Sequence, residues 1–197
     1  QLFQKIEDVQ TDPHELEQRA IRDDAKIEAV LQELNQKIHD EQQIIPSQRI
    51  NIVAGALMAA VGVKDDHGDY VVSRLKPDEL MGSNEDGNTD GEKIIRKITN
   101  FLKKRDLPEN KQRQIINVLR SNFVDNNLNH KSSIETQTPI KTIYKEIYEK
   151  LIPIYDITGI NDLTGKLFNV MNAWVDVPGG GAGVVVLAAR CGWDVMV

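Results

Sequence analysis

Apolar residues recur at three- and four-residue intervals through most of the chain, the spacing of helices buried along one side. The densest such face lies at 161–177, where Leu163, Leu167, Val170, Met171 and Trp174 align and Asn161 or Asp162 can act as the cap. Gly165, one turn in, costs roughly 1 kcal/mol of helix propensity against Ala, which points to a bend or to close contact with another surface. Near the start, Thr11-Asp12-Pro13-His14-Glu15 has the cap, the first-turn proline and the early acid of a helix N-terminus. A narrow stripe of Leu16, Ala20, Ile27, Val30, Leu31, Leu34 and Ile38 follows. It predicts a long amphipathic helix to about Gln42, suited to packing along another helix or joining two domains.

The stretch PSQRINIVAGALMAAVG at 46–62 leaves little polar surface, and Ile50, Val53, Ala54, Leu57, Met58 and Val61 predict a core helix stopped by Gly62. From Lys64 to Gly91 the pattern breaks into turn-rich, acidic loop, with Tyr70-Val71-Val72 as a short extended piece and one helical turn at 77–81. A helix capped by Asp90 then runs to about Lys104 with Ile94, Ile95, Ile98, Phe101 and Leu102 inward. Another starts at Pro108 with Ile115, Ile116, Leu119 and Phe123 inward, so the two predict an antiparallel pair with cationic outer surfaces. A polar loop at 125–137 leads to Thr138-Pro139 and a wide apolar face through Ile140, Ile143, Tyr144, Ile147, Tyr148, Leu151 and Ile152, up to Pro153. Prolines 13, 46, 77, 108 and 139 are spaced 33, 31, 31 and 31 apart, but their flanks share nothing else, so each reads as a helix start and not as a repeat mark. The fold class is mainly α: a multi-helix bundle with a long N-terminal amphipathic helix.

Composition agrees, since 40% hydrophobic and only 5% aromatic residues suit a helical protein better than a sheet sandwich. No apolar run reaches membrane-spanning length and the first ten residues lack a basic-then-apolar leader pattern, so the cytoplasm is the expected location. The single Cys191 excludes an internal disulfide and cannot alone build a zinc site. Charge changes the picture more, because it comes in blocks. Residues 1–45 hold 11 acidic and 5 basic side chains, 65–91 hold 8 and 2, and 92–131 hold 4 and 10. A basic block in an acidic chain faces nucleic acid or an acidic partner, or it pairs with the chain's own acids.

Candidate chemistry is sparse. Asp86, Asn88, Asp90 and Gly91 fit the opening of a calcium loop, but Lys97 stands where a bidentate Glu must close the sphere, so a turn leading into a cap is the better reading. Asp65, Asp66, His67 and Asp69, even with His39-Asp40-Glu41, have no fixed ligand spacing and read as solvated loop. Thr164-Gly165-Lys166 lacks the spacing and the hydroxyl of a phosphate loop, and GGGAG at 179–183 lacks the third glycine of a dinucleotide turn. No nucleophile, base and acid arrangement stands out, and no metal site is expected.

Three stretches carry a resemblance: 46–62, the helices from Gly91 onward, and DLTGKLFNVMNAWVDVP at 162–178. Together, from Ile45 to about Pro178, the chain resembles the N-terminal helical domain of the N-6 adenine DNA methyltransferases of type I restriction-modification systems. An Asp-x-x-Gly-x-x-aromatic element of that family is matched by Asp162, Gly165 and Phe168. The resemblance implies a helical domain joined to a methyltransferase domain that binds S-adenosylmethionine and flips adenine out of DNA, because its amino group is inaccessible inside the stack. It implies partners too: DNA, that catalytic domain and a target-recognition (specificity) subunit. Leu187-Ala188-Ala189-Arg190 departs from the family's Thr-Pro-Arg-like turn, and neither a glycine-rich cofactor strand nor an Asn-Pro-Pro-aromatic motif occurs. No catalytic or cofactor residue is therefore carried over, and S-adenosylmethionine is expected only for the intact enzyme.

The expected organisation is an amphipathic linker helix at 1–44, a helical methylase domain at 45–178 and a Gly-rich tail at 179–197 leading toward a catalytic domain. The expected DNA contacts are Lys93, Arg96, Lys97, Lys103, Lys104, Arg105, Lys111, Arg113 and Arg120, and the expected domain interface is Asp162, Gly165, Phe168 and Trp174. The alternative is a helical protein-interaction module with no DNA role, its basic block balanced by the chain's own acids.

Overall fold

Every residue from Ile52 to Val61 is buried, so this stretch has no solvent-facing side and other helices must surround it. The computed structural model describes residues 13–158, with 43, 45, 84, 86, 106, 132 and 133 excepted. Among them are six α-helices: α1 (Pro13–Gln42), α2 (Pro46–Val61), α3 (Asp90–Lys103), α4 (Glu109–Phe123), the short α5 (Asn126–Asn129) and α6 (Pro139–Thr158). The protein is mainly helical, with α2 packed against α1, α3, α4 and α6. One continuous core takes Ile27, Leu31, Leu34 and Ile38 from α1, Leu57 and Met58 from α2, Phe101 from α3, Phe123 from α4 and Tyr144 from α6. These are the positions that the helical spacing selects, because a stripe of apolar side chains gains most by facing its neighbours' stripes.

Each of the five spaced prolines stands at an element boundary. Pro13, Pro46 and Pro139 open helices, Pro77 opens a 3-10 turn (Pro77–Glu79), and Pro108 caps α4. A small antiparallel hairpin, β1 (Val63–Lys64) and β2 (Tyr70–Val72), follows α2, with Val63 opposite Val72 and Lys64 opposite Tyr70. Gly62 makes the turn into it with φ of 67°, and a side chain there would meet the Val72 carbonyl at 2.6 Å.

Three local expectations change. The cap of α3 is Thr89, whose hydroxyl accepts from the Glu92 amide at 3.3 Å while the Glu92 carboxylate accepts from the Thr89 amide at 3.1 Å. Asp90 is the first helical residue and its carboxylate is fully buried, accepting from the Gly82 amide at 2.9 Å and the Thr138 hydroxyl at 2.7 Å. The polar loop after Asp125 contains α5, which lets Asn129 accept from the Gly91 amide at 2.7 Å and donate to the Phe123 and Asp125 carbonyls. Finally, α6 does not stop at Pro153. The proline forfeits one backbone donor, but it is exposed, and the last turn is held by Ile154 and Tyr155 against the core and by a bidentate pair between Arg74 and Asp156.

Candidate nucleic-acid interface

The outward face of α3 carries Lys93, Lys97 and Asn100 at intervals of four and three, and the C-cap residue Lys104 follows four residues on, so the row is about 16 Å long. Arg96 and Lys103 flank it. This face points away from the core because Ile94, Ile95, Ile98, Phe101 and Leu102 occupy the other side. Among the described residues, none of the nine basic candidates forms an ion pair with a carboxylate; the pairs that do form there use Lys37, His39, Arg74, Lys145 and Lys150.

The nine are not equivalent. Arg96 donates to the Gly87 carbonyl and lies 3.5 Å from the Asn88 side-chain oxygen, which ties it to the loop before α3. Lys93 reaches the Glu79 carbonyl at 3.5 Å. Arg105 stacks 4.7 Å over the Phe101 ring, and its buried Nε has no hydrogen-bond partner. Lys97 donates to the Ser73 hydroxyl at 2.8 Å and lines a hollow of about 300 Å³ with Val71, Val72, Ser73, Asn100, Lys103 and Lys104. Lys103 also borders a groove of about 460 Å³ between α3 and α4, where Arg113 and Glu109 stand. Lys111 and Arg120 are exposed on α4 and line neither hollow. The structure thus gathers Lys97, Lys103 and Lys104, with Arg113 reached through Lys103, and leaves the others dispersed.

The hairpin adds cations that lie outside the basic block. Lys64 sits 5.0 Å and Arg74 5.6 Å from the centre of the half-exposed Tyr70 ring, and Arg74 is 5.7 Å from that of Tyr155. The hydrogen bond from Arg74 holds the Asp156 carboxyl below its usual range and lifts the guanidinium's own pKa further, so this cation is compensated. Ser73 was invisible to helical periodicity because a loop places it. Asn100 could have been found, since it is the position between Lys97 and Lys104 on the same face.

In the acidic loop, Asp65 has a local structural role. Its carboxylate accepts from the His67 and Asp69 amides, both at 2.9 Å, and so closes the hairpin turn. No group of three or more metal-ligating side chains occurs among the described residues, and no helix there is long and apolar enough to cross a membrane. Asp162, Gly165, Phe168 and Trp174, like the tail at 179–197, lie outside the described residues. No protein-family model, curated protein or solved structure matches the chain.

Proposed function

We infer that the chain is the helical, non-catalytic portion of a type I-like N-6 adenine DNA methyltransferase that contributes backbone contacts to duplex DNA. The observation that carries this reading is the α3 face, whose cations are outward and unpaired with carboxylates among the described residues. If the block served only to balance the chain's own acids, those carboxylates would sit against it. Among the described residues the acids that form ion pairs use other cations, Glu33 and Glu146 with Lys150 and Asp156 with Arg74, while Glu109 shares a groove with Lys103 and Arg113 without an ion pair. The family resemblance at 46–62 and 162–178 supplies the rest of the reading. In it, α1 belongs to an amphipathic connection from a preceding part, Asp162, Gly165, Phe168 and Trp174 meet the catalytic domain, and the enzyme works in the cytoplasm of a bacterium or archaeon beside a specificity subunit.

S-adenosylmethionine belongs, in this reading, to the catalytic domain. The sequence has no G-x-G-x-x-G cofactor turn, and the hollow between the hairpin and α3 is edged by three lysines, which repel a sulfonium cation. Lysines and arginines on a solvated helix neutralise phosphates without choosing a base, so the expected activity is sequence-independent affinity that falls steeply with salt. Fluorescence anisotropy with a short duplex, repeated over a salt series, tests it. Neutralising the nine basic residues should flatten the dependence of affinity on salt; an unchanged slope would show that these nine make no phosphate contact, and a wild-type chain without salt-dependent affinity would rule out the DNA role.

A further inference from the structure

We propose that the hollow between the hairpin and the C-terminal half of α3 is a built site for one stretch of sugar-phosphate backbone, and that it carries most of the chain's phosphate affinity. The proposal rests on the DNA reading above and adds where on the basic face the backbone sits. What sets this hollow apart is the chemistry of its lining. Lys97, Lys103 and Lys104 bring three ammonium groups, Asn100 brings an amide, Ser73 brings a hydroxyl, and among the described residues no carboxylate lines it. Three hollows elsewhere on the described residues each include at least one: Glu109 beside Lys103 and Arg113, Asp125 beside Asn122, and both Glu33 and Asp40 on α1. An anion entering any of those meets like charge; here it meets donors.

Ser73 is the element that charge counting overlooks. Its oxygen accepts from Lys97 at 2.8 Å, which fixes the ammonium over the hollow without cancelling its charge and leaves the hydroxyl proton free to be donated to a phosphate oxygen. Val71 and Val72 form the remaining wall, and Val71 is 47% exposed, so an apolar surface lies next to the charges where the carbon face of a sugar can rest. Duplex DNA offers such alternation of sugar and phosphate; free phosphate offers only the anion. The remaining cations lack this setting. Lys93 and Arg96 are turned to loop carbonyls, and Lys111 and Arg120 stand alone on α4.

The test compares two sets of substitutions in the full chain: Lys97→Gln, Lys103→Gln and Lys104→Gln together, against Lys93→Gln, Lys111→Gln and Arg120→Gln together. Duplex affinity is measured over a salt series, with a thermal melt to show that both variants remain folded. The first set should lower the slope of log affinity against log salt by nearly 3, since each lost phosphate contact removes about 0.9, and the second by less than about 1. Ser73→Ala should weaken duplex binding several-fold while leaving the slope near the wild-type value, because it removes a neutral donor. Equal slope losses in the two sets would overturn the proposal while leaving DNA binding intact. A wild-type chain without salt-dependent duplex affinity would remove the DNA reading itself. Amide shifts at Ser73 and Asn100 with inorganic phosphate but none with duplex would assign the hollow to a small anion and overturn its backbone role.

Discussion

At the scale of single residues, the fold depends on a buried polar knot where α3 begins. Asp90, Gly91, Asn129 and Thr138 come from three parts of the chain and satisfy one another away from water. Replacing Asp90 with Ala orphans the Gly82 amide and the Thr138 hydroxyl, and the expected loss is about 3 kcal/mol, whereas Asp90→Asn keeps an acceptor and should cost less. Gly91 permits the contact because a side chain there would lie 1.8 Å from the Phe123 carbonyl oxygen, a backbone atom that cannot swing away. Gly91→Ala is therefore expected to destabilise by about 2 to 3 kcal/mol, more than helix propensity would gain. Urea titration measures both, and a Gly91→Ala midpoint at or above wild type would refute the close packing. Asp90-Gly91 in the sequence looks like a cap, because the adjacent Thr89 and the distant Asn129 and Thr138 compete for the same local signal. The residues were visible; the three-way meeting was not.

At the scale of elements, α1 and α6 are held together by charge as well as by burial. Lys37 of α1 donates to Glu146 of α6 at 2.6 Å, and Lys150 bridges Glu146 and Glu33. The bond from Lys37 keeps the Glu146 carboxyl below its usual range, partly opposed by desolvation, and Arg74 does the same for Asp156 at the end of α6. Since the folded pKa is the lower one, this contribution is complete above the unfolded value of about 4.3 and disappears as pH falls through the folded value. Melting temperature should therefore drop as the solution is acidified below about pH 4, and Glu146→Gln should make that drop shallower; an identical profile for the variant would show that the pair adds nothing. Helices α2, α3, α4 and α6 were legible, since each apolar stripe is a local signal written at its own spacing, whereas the short α5 has no stripe and lay in what read as polar loop. The end of α6 was not, because Pro153 obeys a local rule that is overridden by Tyr155 packing on the core and by Arg74, just after the hairpin, pairing with Asp156. The hollow was equally hidden: Ser73 and Lys97 are brought together only by how the acidic loop folds back.

At the scale of the whole molecule, the described ion pairs join α1, α6 and Arg74 while the nine basic candidates around α3 and α4 pair with no carboxylate among the described residues, and α1 takes part in both the charge pattern and the core. Ile27, Leu31, Leu34 and Ile38 are each no more than 1% exposed. Burying four such side chains contributes on the order of 1.5 to 3 kcal/mol apiece as an upper estimate, and that sum rivals the roughly 5 to 15 kcal/mol by which a whole domain is stable. Removing residues 1–44 to ask whether the acidic helix recruits partners would therefore expose the faces of α2 and α6 as well. The shortened chain is expected to lose its cooperative thermal transition and to aggregate. A cooperative melt within a few degrees of the full chain would mean that the α1 contacts contribute little energy. The informative variant keeps the core and changes only the surface: Glu28→Gln, Glu33→Gln and Asp40→Asn on α1. Exposed ion pairs contribute about 0 to 1 kcal/mol, so this protein should melt nearly as wild type does. With three negative charges gone, its duplex affinity should rise modestly at low salt and converge with wild type as screening increases, which is the behaviour of a long-range field and not of a contact.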